Sequence, residues 1–265
     1  MLIENLSSLQ KRFLTAIIFI PPVLASIWVG SPYLDIFVLL ILVLMMREWS
    51  RMVLHQTVTP VSVVIPFVAI GYLYLDFSVR TIFELLFIGF CLSLYMFIRH
   101  HKKIRDFFVH FFGSLYITVS LSFLVYMAHE GMHLYFMWLL AIIWFSDTGA
   151  YFAGRLIGGP KLAPSISPNK TWAGFFGGIF AGILGGYLTA PYLQSLYITP
   201  LQIITVCAYL SFMGHMGDLL ESLLKRHYNV KDTGTLLPGH GGALDRFDSL
   251  LMVSFAAGLL IYLGL

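Results

Sequence analysis

Charged residues are scarce in this chain: aspartate, glutamate, lysine and arginine make up 11% of its 265 residues, whereas hydrophobic residues make up 58%. A water-soluble domain of this length could hardly bury so large an apolar fraction in one core. The composition therefore excludes an ordinary soluble protein and indicates a membrane protein. Because lipid cannot hydrogen-bond to bare backbone groups, we expect the spanning segments to be helices.

Cysteine is also scarce. Cys91 and Cys207 each lie inside an apolar run with no metal-ligand spacing around them, which excludes a disulfide framework and a zinc site. The net charge of +3 is modest, and the chain has no basic arm or zinc finger. We therefore expect no nucleic-acid partner.

Apolar runs of the length that crosses a bilayer, about 20 helical residues, recur from Phe13 almost to Leu265. They predict an all-α, polytopic transmembrane helical bundle of about nine spans. The first run follows Lys11 and Arg12 as in a signal peptide, but its length and the later spans favour its retention. The predicted spans are 13–30, 33–46, 58–75, 82–98, 111–128, 133–150, 172–192, 199–217 and 249–264.

The basic residues predict the orientation of these spans. With the N-terminus in the cytoplasm, Arg80 is the one of the 16 lysines and arginines that falls on the outer side. Asp35, Asp76 and Glu130 lie in the outer loops, as the positive-inside rule leads one to expect. Without internal repeats or linkers, residues 1–265 are treated as one membrane domain. Residues 1–130 are assigned to scaffold and lipid-entry spans, and residues 131–265 to catalytic spans and loops.

Residues 216–249 are the most informative stretch. If the eighth helix continues past Gly217, one face carries two carboxylates and an ammonium: Asp218, Glu221, Ser222 and Lys225. Asp245 and Asp248 share a face where the ninth span starts. Carboxylates that converge at a water interface attract a divalent cation, and Mg²⁺ binds through one or two carboxylates plus substrate phosphates.

Cations and glycines lie between these two acidic ends. Glycines let backbone N–H groups approach an anion, and a helix that begins just after them adds the positive end of its dipole. This inventory suits a polyphosphate, because phosphoryl or nucleotidyl transfer needs alignment and charge neutralisation. Each cation alone could equally be a membrane anchor, and His240 could be a turn residue. The residues concerned are Lys225, Arg226, Lys231, His240, Gly241 and Gly242.

A second polar loop spans residues 144–174. Asp147 ends an apolar run, and a loop with three prolines then supplies cations and hydroxyls, namely Lys161, Ser165, Ser167, Lys170 and Thr171. This composition could hold a nucleotide. The alternative is a helix cap at Asn169 or Thr171 with anchoring lysines. His215, inside the eighth span, is predicted to be a packing histidine with a hydrogen-bond partner.

These segments resemble the phosphatidate cytidylyltransferases, also called CDP-diglyceride synthases. The resemblance is carried by SLLKRHYNVKDTGTLLPGHGGALDRFD at residues 222–248, with DTGAYFAGR, SPNKTW and GDLLES upstream, and it covers at least residues 144–249. Two positions depart from the family pattern. Ala243 replaces a larger aliphatic residue, and Ala173 stands where relatives commonly carry glutamate, so no required metal ligand can lie there.

The resemblance implies transfer of CMP from CTP to phosphatidic acid, with Mg²⁺ as cofactor and a second cation left open. It implies a multi-pass protein of the bacterial inner membrane with its active site facing the cytoplasm; a homodimer is left open. The expected metal ligands are Asp218, Asp245 and Asp248. The expected catalytic residues are Asp218, Lys225, Arg226, Lys231, Asp245 and Arg246. The expected nucleotide-binding residues are Asp147, Lys161, Ser167, Lys170, Thr171, His240, Gly241 and Gly242.

Two other functions fit parts of this pattern. A polyprenol or other lipid kinase would use a similar set of carboxylates and cations. A transporter would place ionisable residues near mid-bilayer between broken helices, whereas here the charges gather at one face. The CDP-alcohol phosphotransferases are disfavoured, because their paired DG and AR spacing is not found.

Overall fold

The computed structural model of the chain describes residues 21–55, 59–75, 78–99, 103–193, 199–234 and 241–263. These residues form nine helices, and α1 is described over residues 21–29. The predicted all-α, polytopic bundle is confirmed, although residues 13–20 of the first predicted span lie outside the described residues. The other helices are α2 Tyr33–Leu54, α3 Pro60–Tyr74, α4 Val79–Arg99, α5 Ile104–His129, α6 His133–Leu156, α7 Trp172–Thr189, α8 Pro200–His227 and α9 Leu244–Tyr262.

Five of the described helices are long and apolar enough to cross a membrane: α4, α5, α6, α7 with the 3₁₀ turn that follows it, and α8. The shorter helix α3 is also apolar. Helices α2 and α9 are of similar length but carry charged residues, near both ends of α2 and near the start of α9. The number of spans and the cytoplasmic N-terminus stay predictions.

Several helices extend beyond their predicted spans at one end of the bundle, here called the charged end because it holds Glu48, Asp147, Asp218 and Asp245. Helix α2 continues to Leu54, and α9 already begins at Leu244. Helix α8 continues past Gly217 to His227, which confirms the condition on which the shared acidic face depended. Its last turn contains Lys225, Arg226 and His227, which interact favourably with the negative end of the helix dipole.

The polar loop between α6 and α7 contains a β-hairpin that the sequence did not predict. Strands β1 (Lys161–Ala163) and β2 (Ser167–Thr171) are antiparallel, and Lys161 lies opposite Thr171. The Thr171 hydroxyl accepts a hydrogen bond from the Gly174 N–H at 3.1 Å, so the predicted cap is present and α7 begins directly after β2. The hairpin therefore places Lys170 at the charged end.

Helices α6, α7 and α8 approach closely through glycines, as small residues allow in membrane helices. A Cβ atom at Gly149 of α6 would overlap the Cβ of Ala181 and lie 2.8 Å from the Gly177 carbonyl oxygen on α7. At Gly182 a Cβ would overlap the Ser211 hydroxyl of α8. The close packing of these helices holds the loop of residues 157–171 beside Asp218, the first residue of the acidic face of α8.

Helix α2 packs against α5 and α9, so its end enters the charged end of the bundle. The Trp49 indole donates to the His110 carbonyl oxygen at 3.0 Å, and the Ser50 hydroxyl lies 2.9 Å from His110 Nε2. Farther along α5, the Ser254 hydroxyl of α9 donates to the Ser120 carbonyl oxygen at 2.6 Å. These buried hydrogen bonds join the first half of the chain to its last helix.

The glycine contact between α6 and α7 gives a first prediction. We expect Gly149→Val to lower the free energy of unfolding by about 1–3 kcal/mol, because the added side chain must separate two helices in contact. Thermal unfolding in detergent micelles would measure this change. Thr148→Val, at an exposed neighbouring position, is the control. An equal unfolding midpoint in the two variants would contradict the close contact.

Candidate active site

The charged end contains two neighbouring polar clusters, and the first joins the hairpin to α8. Lys170 Nζ lies 2.5 Å from Asp218 Oδ2. The ammonium is buried and, among the described residues, has no aligned hydrogen-bond acceptor despite this ion pair. Asp147 of α6 is close enough for its charge to interact with both. The predicted nucleotide loop and the predicted acidic helix therefore meet.

A cavity of about 550 Å³ opens beside this ion pair, a volume typical of small-molecule sites. It is formed by the ends of α6, α7 and α8 together with the hairpin. Four of the predicted site residues line it: Asp147, Lys170, Thr171 and Asp218. Other lining residues were not predicted to belong to the site, and they include Tyr151, Gly154, Arg155, Asn169 and Phe175.

Arg155 brings a further cation to the cavity. Its Nη1 donates to the Tyr151 hydroxyl oxygen at 2.6 Å, and its guanidinium carbon lies 5.9 Å from the centroid of the same ring. A guanidinium offers several N–H donors in a planar fork, which matches phosphate geometry. His215 lies 3.2 Å from the Ser146 hydroxyl, so it has the partner predicted for it, and it also lines the cavity.

The second cluster is an ammonium between two carboxylates. Lys225 Nζ lies 2.7 Å from Asp245 Oδ1 of α9 and 3.0 Å from Glu221 Oε1, one turn earlier on α8. The three side chains are only 14%, 4% and 10% exposed, respectively. Burial of a charge is costly unless it is paired, so each group depends on the others.

Four donor groups surround Asp245, and one of them, the Thr233 hydroxyl, shares its single proton between Asp245 and Glu48. Besides Lys225, the donors to Asp245 are the Thr233 N–H at 2.8 Å, the Thr233 hydroxyl at 3.0 Å and the Gly242 N–H at 2.8 Å. Gly241 has φ +85°, and a Cβ there would lie 2.7 Å from Asp245 Oδ2, so this turn requires glycine. Both carboxylate oxygens of Asp245 are therefore engaged by the protein.

Glu48, near the end of α2, belongs to the same cluster. Its Oε1 accepts from the Ala243 N–H at 3.0 Å, and its Oε2 accepts from the Leu244 N–H at 2.9 Å and from the Thr233 hydroxyl at 3.1 Å. Glu48 lies in the segment of residues 1–130, which was predicted to be scaffold. The signal that could have revealed it is an acidic residue at the end of a long apolar run, because such residues are functional candidates by default.

The other predicted residues occupy different places. Arg226 Nε donates to the Ile166 carbonyl oxygen at 3.3 Å, which ties the end of α8 to the hairpin. Lys161, Lys231 and Arg246 are exposed at the charged end, and Ser167 lies on β2 outside the lining of the cavity. The Gly242 N–H faces Asp245, so contact of Gly241 and Gly242 with phosphate stays a prediction. His240 lies outside the described residues.

The carboxylates of the charged end supply only some of the ligands that a metal ion needs. Among the described residues, no three His, Cys, Asp or Glu side chains converge on one metal position. Asp218 and Asp248 are neighbours across the α8–α9 contact, where a Cβ at Gly217 would lie 2.8 Å from the Asp248 carbonyl oxygen and where the two charges interact. Two carboxylates plus substrate phosphates suit Mg²⁺, so this pair fits the expected ion better than the fully engaged Asp245 does.

An apolar groove of about 290 Å³ lies on the other side of α8. Its walls come from α2, α5, α8 and α9, and include Trp49, Phe112, Tyr116 and Leu224. Glu221 and Asp248 also line it. The groove therefore joins apolar side chains of four helices to two carboxylates of the charged end.

Residues 10–263 match the family described as Cytidylyltransferase family. A protein named phosphatidate cytidylyltransferase from Staphylococcus saprophyticus is 43% identical over 144 residues, 52% of this chain and 52% of the relative. Proteins of the same name from Bacillus subtilis and Brucella suis are 49% and 46% identical over 126 and 129 residues, which are 45% and 48% of this chain and 44% and 45% of those relatives. The chain thus spans about half the length of the curated relatives it matches.

The buried ammonium gives a second prediction. We expect Lys225→Met to lower the free energy of unfolding by about 3–5 kcal/mol, because it leaves Glu221 and Asp245 buried without their cation. Unfolding in detergent would measure the loss. The matched control is Arg80→Met, which breaks the 2.8 Å pair between Arg80 and Glu84. Their side chains are 88% and 56% exposed, so its cost should stay below about 1 kcal/mol. Similar losses in the two variants would contradict a buried, interdependent triad.

Proposed function

Because the chain belongs to the cytidylyltransferase family, we propose that it is a phosphatidate cytidylyltransferase, an enzyme that transfers CMP from CTP to phosphatidic acid. The observation that carries this proposal is the cavity beside Lys170 and Asp218, where cations suited to a polyphosphate adjoin carboxylates at the ends of membrane helices. The names of the relatives support the choice of both substrates.

In the proposed reaction a phosphate oxygen of phosphatidic acid attacks the α-phosphorus of CTP in line. The new P–O bond joins the lipid phosphate to CMP, and the bond between the α-phosphorus and the bridging oxygen breaks to release pyrophosphate. Such a step depends mainly on alignment and on stabilisation of charge at the attacking and leaving oxygens. Phosphatidate is already ionised near neutral pH, so no strong general base is required.

The cations of the site have distinct tasks in this proposal. Lys170 and Arg155 line the cavity and bind the phosphates of CTP, and the buried Lys170 ammonium has donors to spare. Asp218 keeps Lys170 in place. Lys161, Lys231 and Arg246 are exposed at the same end and attract the polyanionic nucleotide from solution.

Magnesium is the proposed cofactor. Asp218 and Asp248 would hold it, with a second cation left open. When bound, Mg²⁺ neutralises charge on the phosphates and so favours departure of pyrophosphate. Asp147 adds negative charge beside Asp218 in the same cavity. Asp245 instead keeps Lys225 in position.

The lipid substrate is proposed to approach from the apolar groove. The groove is lined by side chains of four helices and reaches Glu221 and Asp248. Acyl chains would be buried there while the phosphate group meets the nucleotide at the charged end. We propose that this end faces the cytoplasm from the bacterial inner membrane, because CTP is cytoplasmic and the helix ends there carry the basic residues. Homodimer formation stays a prediction.

A direct assay gives a third prediction. Purified protein in detergent should release pyrophosphate from CTP only when phosphatidate and Mg²⁺ are both present, and the labelled cytidine should appear in a lipid product. Pyrophosphate release and thin-layer chromatography of labelled lipid would measure the two events. Phosphorylation of a lipid alcohol with release of CDP would favour the lipid-kinase alternative and overturn the proposal.

The role of Asp218 gives a fourth prediction. We expect Asp218→Asn to lower turnover by about 100-fold or more, because the change removes an anion that holds Lys170 and contacts the cofactor. Glu130→Gln, at an exposed position just after α5, should leave turnover unchanged. Turnover of the folded Asp218→Asn variant equal to that of the control would exclude Asp218 from the reaction.

A further inference from the structure

We propose that Glu48 is a positioning residue of the active site, acting from the half of the chain assigned to scaffold. Its carboxylate holds the start of α9 and the segment of residues 231–234, and through them it fixes Asp245 and Lys225. The consequence for catalysis rests on the proposed function. The structural part of the inference does not.

The first observation is the complete engagement of a buried carboxylate. Glu48 is 8% exposed, and its two oxygens accept from the Ala243 N–H, the Leu244 N–H and the Thr233 hydroxyl. The first N–H groups of a helix have no partner within the helix, and the helix dipole is positive there. Glu48 supplies both an acceptor for these N–H groups and a negative charge at the start of α9, although it lies 196 positions before Leu244 in the sequence.

The second observation is that glycines leave room for this carboxylate. A Cβ at Gly234 would lie 2.5 Å from Glu48 Oε1, and a Cβ at Gly242 would overlap Oε2. The backbone of both segments therefore packs directly on Glu48. Gly242 was predicted from the sequence to contact phosphate, but its packing against Glu48 is enough to explain why this position requires a glycine.

The third observation links Glu48 to the second polar cluster. The Thr233 hydroxyl lies 3.1 Å from Glu48 Oε2 and 3.0 Å from Asp245 Oδ2, and the Thr233 N–H donates to the same Asp245 oxygen at 2.8 Å. Asp245 in turn accepts from Lys225 at 2.7 Å. A continuous series of contacts thus runs from α2 through Thr233 to α9 and α8, so a shift of Glu48 moves the cation of the second cluster.

The substitution Glu48→Gln tests this role with little change of shape. A glutamine amide has one acceptor oxygen, and its NH₂ group would face a backbone N–H or the Thr233 hydroxyl. We expect kcat/KM for phosphatidate to fall by about tenfold or more at a temperature well below the unfolding midpoint. Lys225 pairs with Glu221 of the lipid groove, and the variant loses a hydrogen bond to a charged group. Glu84→Gln is the matched control, because Glu84 is exposed on α4 and pairs with Arg80.

Two further variants keep the test valid if Glu48→Gln folds poorly. Thr233→Val removes the bridging hydroxyl with little change of volume, whereas Thr233→Ser retains it. We expect the valine variant to lose kcat/KM and the serine variant to keep most of it. Amide hydrogen exchange, measured by mass spectrometry on the peptide containing Ala243 and Leu244, reports the contact between Glu48 and the start of α9 without any substrate. Exchange there should accelerate in Glu48→Gln and stay unchanged in Glu84→Gln.

The outcomes separate the two claims. Faster exchange together with lower kcat/KM supports the proposal. Unchanged exchange in Glu48→Gln overturns the claim that Glu48 holds the start of α9. Faster exchange with wild-type kcat/KM in both Glu48→Gln and Thr233→Val overturns the positioning role. If the wild-type protein makes no CDP-lipid, the proposed function fails, while the exchange experiment still decides whether Glu48 holds α9.

Discussion

Glu221 and Asp245 are buried on either side of the Lys225 ammonium, and none of the three charges could be placed there alone. This constraint sets the relation between α8 and α9, because Lys225 stands on one helix and Asp245 at the start of the other. The turn of residues 241–243 follows from it, since Gly242 donates to Asp245. The exposed lysines and arginines around the charged end only add long-range attraction to this fixed arrangement.

Helix α8 connects the two polar clusters by its periodicity. Asp218, Glu221 and Lys225 lie at spacings of three and four residues, so they share one face, but they contact different parts of the molecule. Asp218 pairs with Lys170 of the hairpin, and Lys225 pairs with Asp245 of α9. A rigid helix thus fixes the distance between the cation of the cavity and the cation beside the lipid groove. Two phosphate-bearing substrates could be aligned by this one element.

The sequence predicted those parts of the structure that depend on local periodicity. The apolar runs predicted the helices, and the spacing from Asp218 to Lys225 predicted their shared face. The hairpin was not predicted, because residues 161–171 show no alternation of apolar and polar residues. Glu48 was not predicted either, since its partners Ala243 and Leu244 are nearly 200 residues away and donate through their backbone, which carries no side-chain signal. The spans predicted for α2, α6 and α8 ended too early, because hydropathy marks the edge of the apolar region and not the end of the helix.

The occupation of the start of α9 by carboxylates changes where a nucleotide can be bound. Glycines before a helix suggest a phosphate site, yet here the N–H groups of Gly242, Ala243 and Leu244 donate to Asp245 and Glu48. An incoming phosphate would meet two anions at that place and would have to displace strong hydrogen bonds. The cavity on the other side of Asp218 differs, because the Lys170 ammonium and the Arg155 guanidinium on its wall accompany the carboxylates of Asp147 and Asp218 and offer donors to a phosphate. For the proposed reaction these donors make the cavity the better place for the triphosphate. The glycine turn then has a structural task, namely to hold Asp245 against Lys225.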